Sequence, residues 1–338
     1  MKIFVVQNIG NNHTTNLFSK LIDKQYLTDN RDDADIYLFC TMSLSTQQVK
    51  NIGNHPLVID ALHKCFLISD EDHPLPVLPG LYAALPKLTF YSNSSWQRHF
   101  RTIFYLSNHN PYIKELRGQG GPIRYLFSFV GSRTSRVRKK LFRLAFKRED
   151  ILLRATDSAY FWKDFIVLQG IRKTGDNQDY LVDYTQEILQ SRFVLCPRGN
   201  GNSSYRFFEV MEAGRVPVII SDSYVFPKIP YEWNDLVIRV KENEVDRIEA
   251  ILSQNEHRFE KMAALNLKVY EECFSNKSVY IINNLKELVE DNRLKRRIQY
   301  KMYHLKWVSS LQFYYFIKPF IGRMANRVKR IIKPAIFS

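Results

Sequence analysis

The sequence predicts an α/β protein made of two facing Rossmann-like domains followed by a basic helical tail. Three observations carry this reading. Short apolar runs alternate with helical segments along most of the chain, the pattern of parallel sheets. The 338 residues exceed what a single core usually holds, so two sheets fit the ten runs better than one. Finally, residues 293–338 hold twelve Lys or Arg and no Asp or Glu, which supplies +12 of the formal net charge of +15 and leaves the rest close to neutral.

In the first half, apolar runs at residues 3–6, 36–39, 57–59, 65–68 and 88–91 read as strands. His13 falls in the loop after the first of them. Asp70, Glu71, Asp72 and His73 follow the run at 65–68 and form the densest ionisable cluster of this half. A polar turn before Pro74 accounts for the same residues without any chemistry. Residues 117–122, with three glycines and a proline, are the best linker. The division is therefore 1–120, 121–292 and 293–338.

In the second half the runs lie at 125–130, 151–154, 193–196, 216–220 and 236–240. The most informative stretch, from Ser191 to Asp222, reads as strand, glycine loop, helix and strand. Pro197 and Gly199 bound its first strand, and Gly199 and Gly201 open backbone conformations closed to other residues. Ser203 or Ser204 can cap the helix, whose free amides would attract an anion. Phe207, Val210, Met211 and Gly214 share one helical face, and Arg206 and Glu209 share another. This predicts an Arg/Glu pair facing a cleft beyond the carboxyl ends of the strands, where Arg198, Gly199 and Asp222 also fall. A guanidinium suits a diphosphate and a carboxylate a ribose diol. An ordinary surface ion pair at i,i+3 explains the two residues equally well.

The order Pro197-Arg198-Gly199, Ser204-Tyr205-Arg206, Glu209, then Pro217 to Asp222 resembles the exostosin family of glycosyltransferases. The likeness extends upstream to residues 126–132 with Arg136 and Arg138, and downstream to Phe226-Pro227 and Trp233, about a third of the chain. It implies a GT-B type fold and transfer of a sugar, with inversion, from a nucleotide diphosphate sugar, usually a UDP-sugar, in the biosynthesis of a cell-surface or extracellular polysaccharide. By this resemblance Glu209 holds the ribose and Asp222 lines the donor cleft. Arg206, the amides near Ser203 and Ser204, and Arg138 or Arg198 are candidates to stabilise the departing diphosphate. Arg138 competes with a solvated helix face made by Arg133, Arg136, Lys139 and Lys140. Ser132 either approaches the phosphates or caps a helix. The base for the acceptor hydroxyl is expected from the first half, with Asp72 and His73 as candidates and His13 as a second.

Asp33-Ala34-Asp35 resembles the acidic metal motif of another glycosyltransferase fold, but it precedes the strand beginning at Ile36, the wrong end for a site. It is read as a turn, and no metal or other cofactor is expected beyond the nucleotide-sugar substrate. Residue eight after Glu209 is Pro217, so the Glu-x7-Glu spacing of many retaining enzymes is missing, which favours inversion. A GDP-fucose-type fucosyltransferase is the alternative enzyme. A noncatalytic membrane- or nucleic-acid-binding protein is the alternative from another class.

Aromatic residues Tyr300, Tyr303, Trp307, Phe313, Tyr314, Tyr315, Phe316 and Phe320 are interleaved with the tail cations, a composition suited to an anionic lipid interface. Packing on the body would use the same residues. A lipid-linked or glycan acceptor and a peripheral membrane position are the expected partners, and nucleic acid is disfavoured for want of a recognisable module. No run has spanning length and no signal peptide is visible, so a cytoplasmic protein on the inner face of the plasma membrane is expected. Cys40, Cys65, Cys196 and Cys273 are widely spaced without a ligand motif and read as reduced thiols.

Overall fold

The computed structural model describes residues 1–6, 12–42, 46–87, 99–106, 110–119, 121–156 and 178–292. The basic tail expected at 293–338 and the strand expected at 88–91 lie outside these residues.

The first unit carries β1 (Ile3–Val5), β2 (Ile36–Thr41), β3 (Cys65–Ser69), β4 (Gly80–Tyr82) and β5 (Phe100–Thr102), parallel throughout and lying side by side in chain order. Every residue of β2 and β3 is buried, as in a sheet covered on both faces. Along β2, Ile36, Leu38 and Cys40 enter one core cluster, and Tyr37 and Phe39 enter another on the opposite face. Helices α1 (Asn12–Leu21), α2 (Thr46–Gly53) and α3 (Pro56–Ala61) belong to this unit.

The strand expected at 57–59 is a correction, because these residues form the middle of α3. His55 accepts the Leu57 amide on Nδ1, and Pro56 sits in the first turn, where its fixed φ and missing N–H favour a helix start. Two strands escaped the sequence reading. β4 follows Pro74, Pro76 and Pro79, which read as loop, and β5 carries Arg101 in place of an apolar residue.

After α4 (Pro111–Leu116), the second unit contains β6 (Tyr125–Gly131), α5 (Arg136–Leu141), β7 (Ile151–Ala155), α6 (Gln178–Leu189), β8 (Ser191–Pro197), α7 (Arg206–Glu212), β9 (Val216–Ile220) and β10 (Ile238–Arg239). It is completed by α8 (Ile248–Gln254), α9 (Phe259–Cys273) and α10 (Lys277–Asn292). Its sheet runs β10-β9-β8-β6-β7, again parallel, so the strand order reverses between β6 and β8. In open parallel sheets, ligands bind at such a switch point, beyond the carboxyl ends of the two strands. Here those ends are Gly131 and Pro197.

The two units share one apolar cluster. It runs from Ile3, Leu38 and Phe66 to Phe207, Val210 and Leu285. Phe104 stacks against Phe208, Phe274 and Tyr280 at centroid distances of 5.2, 5.7 and 5.2 Å. The last described helix, α10, returns to the first sheet, where buried Arg101 of β5 pairs with Asp291 at 2.6 Å.

Candidate functional site

At the switch point two guanidinium groups meet. Arg206 opens α7 and is only 8% exposed, which corrects the expectation that it looks outward. The α7 face carrying it is enclosed by Phe129 of β6 and Tyr184 of α6, with its guanidinium 4.7 and 5.5 Å from their ring centroids. Its Nη2 donates to the Val130 carbonyl and its Nε to the Tyr184 hydroxyl at 3.1 Å. Nη1 is buried without a partner among the described residues. Gly131 permits this approach, since a Cβ there would lie 3.0 Å from Arg206 Nη2.

Arg138, on α5, lies over the same Phe129 ring at 5.5 Å. It donates from Nε and Nη2 to the Pro197 carbonyl (3.3 and 3.1 Å) and from Nε to the Arg198 carbonyl (3.2 Å), and it has no carboxylate partner among the described residues. Burial, reinforced by the neighbouring Arg206 charge, pulls its pKa down to about 9. For Arg206 burial acts in the same direction, but Tyr184, Cys196 and Glu209 outweigh it and leave the pKa raised. Glu209 and Asp72 act on the two cations from a distance, but neither guanidinium is ion-paired to a carboxylate among the described residues, and the charge arrangement suits an anion. Beneath them the Cys196 thiol is buried, and burial pushes it up to about 12.

Tyr184 also connects Arg206 to Glu209, because its hydroxyl donates to Glu209 Oε2 at 2.7 Å. Burial raises the Glu209 carboxyl above its usual range against the opposing pull of Tyr184 and Arg206. Tyr184 was not found from sequence, being one of nineteen tyrosines with no motif around it.

Several expected residues have other work. Ser203 and Ser204 do not cap α7, which starts after Tyr205 with no side-chain cap. The Ser204 carbonyl instead accepts the Phe207 amide, so the chain enters the helix through a backbone turn. The cap on α5 is Ser135 and not Ser132: Ser135 Oγ accepts the Arg138 amide at 3.3 Å and donates to the Arg198 carbonyl at 2.8 Å. Ser132 is buried, and its carbonyl lies 3.5 Å from Arg138 Nη1. The Arg198 guanidinium is engaged by Glu242 at 2.6 Å, so the residue serves the site through its carbonyl. Asp222 is exposed and accepts the Glu242 amide at 3.0 Å, which fixes the corner after β9. Gly199 sits beside Arg138, with room for a Cβ at 3.5 Å from Nη2.

From the first unit, Asp72 reaches this end of the second sheet. Tyr105, buried, donates its hydroxyl to Asp72 Oδ1 at 2.8 Å, and its ring lies on that of Tyr205 with centroids 4.0 Å apart. Asp72 Oδ2 has no hydrogen-bond partner among the described residues. The Asp72 charge acts on Arg138 and on His73. His73 is exposed, and partial desolvation, aided by Arg198 and opposed by Asp72, lowers its pKa. Asp70 is instead a buried structural group, accepting the Leu106 amide at 2.9 Å. The units are further joined where Asn202 Nδ2 donates to the Ala84 carbonyl at 3.3 Å and the Lys87 amide to the Ser223 carbonyl at 2.7 Å.

Gly201 is the tightest point of this junction. A Cβ there would lie 2.8 Å from the Asp72 carbonyl oxygen and 2.9 Å from Asp72 Oδ1. Gly201→Ala must therefore push the Asp72 segment away, and overpacking of this kind costs about 1–3 kcal/mol. The expected result in thermal unfolding is a Tm several degrees below the parent chain.

Asp33-Ala34-Asp35 forms a turn ahead of β2, with Asp35 Oδ2 accepting the Lys2 amide at 2.6 Å. Among the described residues no group of three or more His, Cys, Asp or Glu is gathered to hold a metal ion. No described helix is long and apolar enough to cross a membrane. His13 lies in the first turn of α1, not in a loop, and its side chain lies outside what is described.

Comparison with known proteins matches residues 82–254, half of the chain, to the exostosin GT47 domain. The chain belongs to the exostosin GT47 family. The match covers both Tyr105 and the whole Ser191–Asp222 stretch, so this exostosin domain draws on both structural units. An exostosin-1 homolog of Caenorhabditis elegans is 29% identical over 242 residues, covering 66% of this chain and 61% of that protein. Exostosin-1 of Drosophila melanogaster is 33% identical over 122 residues, covering 34% of this chain and 16% of that protein. The chain thus spans less than two thirds of the length of these relatives. Among solved structures, Anabaena Alr3699/HepE in complex with UDP aligns with a TM-score of 0.40 at 14% identity, over 85% of this chain and 100% of the other.

Proposed function

We propose that this exostosin is a glycosyltransferase that moves a sugar from a UDP-sugar to a glycan or lipid-linked acceptor, with inversion, in the building of a cell-surface or extracellular polysaccharide. The observation that carries the reading is the pair Arg138 and Arg206 at the switch point, one without a carboxylate partner and the other with a buried donor unused among the described residues.

In this reading the diphosphate lies against the two guanidinium groups and Glu209 accepts from the ribose diol. Asp72, held by Tyr105, takes the proton of the acceptor hydroxyl as its oxygen attacks the anomeric carbon. The bond from that carbon to the diphosphate oxygen breaks, and UDP leaves with its new charge met by the arginines. Attack from the side opposite the leaving group inverts the anomeric centre. The enzyme works in the cytoplasm, peripheral to the inner face of the plasma membrane, and needs no cofactor besides its donor.

Calorimetry of the purified chain against UDP, GDP and CMP, repeated with Glu209→Ala, tests the donor site. Saturable UDP binding weakened at least tenfold in the variant is expected. Preference for GDP would replace the UDP reading with the fucosyltransferase one, and absence of any nucleotide binding would overturn both.

A further inference from the structure

A second charged feature lies beside the donor site. Between Arg133 and Asp150 the sequence places eight Lys or Arg and only two acidic residues. Helix α5 turns two faces to different ends. Val137 and Leu141 are buried, and Arg138 enters the site. On the outer side Arg133, Arg136 and Lys139 are exposed, and Arg143 and Lys147 extend the row beyond the helix. None of these five side chains is ion-paired to a carboxylate among the described residues, and only the backbone amide of Lys147 meets one, Glu249 at 3.1 Å. Their neighbours are paired: Lys140 with Asp246, and Arg148 with Asp150 and Glu256 at 2.7 and 2.8 Å.

We propose that this ridge is a docking face for an anionic lipid surface. The proposal is independent of the nucleotide-sugar reading. Apart from the five cations, the exposed side chains between Arg133 and Lys147 are Thr134 and Ala145. Within that stretch no exposed side chain is an aromatic ring, an amide or a carboxylate that could stack on or hydrogen-bond a sugar ring or a base; the exposed carboxylates nearby are Glu149 and Asp246, the latter paired with Lys140. What is left is exposed positive charge, two cations on the helix and three in the segments flanking it, which is matched by a layer of headgroups and asks for no groove. The chain carries a second basic segment, since residues 293–338 combine twelve cations with eight aromatic residues between Tyr300 and Phe320. Arg133 directly follows Ser132, whose carbonyl lies beside Arg138, so docking through the ridge holds the site beside the lipid plane, within reach of a lipid-borne acceptor.

The test is co-sedimentation of the full chain with phosphatidylcholine vesicles, with and without phosphatidylglycerol, for the parent and for the variant R133Q/R136Q/K139Q/R143Q/K147Q. Circular dichroism and Tm verify the fold, which these exposed sites leave unchanged. Each cation near an anionic surface contributes roughly fivefold to partitioning. Binding that requires phosphatidylglycerol, weakens with salt and falls at least tenfold in the variant is expected. A folded variant that binds like the parent would assign the interaction elsewhere, for instance to residues 293–338, and overturn the proposal. So would a parent chain that ignores the vesicles, or one in which the substitutions abolish binding to polygalacturonate or RNA but not to lipid.

Discussion

Arg138→Met is expected to weaken UDP binding by about 100-fold, since charge-assisted hydrogen bonds in a dry site contribute about 1.5–3 kcal/mol each, while the Tm stays near that of the parent chain. The two halves of this result have separate causes. Arg138 is held among carbonyls and beside Arg206, and burial and that neighbour together bring its pKa down to about 9, well below the ordinary range of an arginine. A base whose folded pKa is depressed is charged at neutral pH at a cost to the folded state. That cost is fully present below about pH 9 and is relieved as the pH rises from there toward the unfolded value. Methionine keeps the aliphatic length, removes the repulsion with Arg206, and leaves the Pro197 and Arg198 carbonyls to find water. The gain and the loss are of similar size, which is why little net change in Tm is expected. Arg206→Ala gives a different signature. It empties a site between Phe129 and Tyr184 and deprives the Val130 carbonyl of its donor, so it is expected to lose binding and stability together. Calorimetric UDP titration and thermal unfolding of both variants separate a residue kept for an anion from one kept also for the fold. If Arg138→Met binds UDP like the parent chain, the two-arginine account of the site is wrong.

Asp72→Asn is expected to lower kcat by about 1,000-fold, within the 10²–10⁴ that a positioned general base supplies, with the Kd for UDP unchanged. The substitution keeps the shape against Gly201 and an acceptor for the Tyr105 hydroxyl, but removes the proton-accepting charge. Tyr105→Phe keeps the ring on Tyr205 and removes only the hydroxyl, and about a tenfold loss of kcat is expected when a carboxylate loses one orienting bond of this kind. The double variant is then expected to be no slower than Asp72→Asn alone, because the tyrosine acts through the carboxylate. Turnover of the UDP-sugar selected by the binding experiments, followed by UDP release, measures all three. A parent-like kcat in Asp72→Asn would move the base to another group, with His73 as the next to test.

The sequence analysis and the structure agree most closely where one segment contains its own logic. Ser191 to Asp222 is strand, loop, helix and strand, with Phe207, Val210 and Met211 buried as their spacing requires. Local chemistry misled in smaller elements. Residues 57–59 have a strand's composition, yet Pro56 and the His55 cap start a helix. β4 and β5 are three residues each and draw their stability from pairing with neighbours rather than from an apolar alternation of their own.

The glycine loop, the arginine and glutamate on α7, and the division into two parallel α/β units were determined by the sequence itself, because turn chemistry and the periods of helix and strand act over a few residues. Tertiary structure alone decided which polar side chains share the site. Arg198 and Asp222 belong to the motif in the chain but spend their side chains on Glu242 and its amide. Arg138 and Tyr105 lie dozens of residues away, Tyr184 sits on the helix just before the stretch, and the three are brought in by the reversal of strand order between β6 and β8 and by the junction of the two units. Charge pairing and burial depend on those distant neighbours, and no local pattern encodes them.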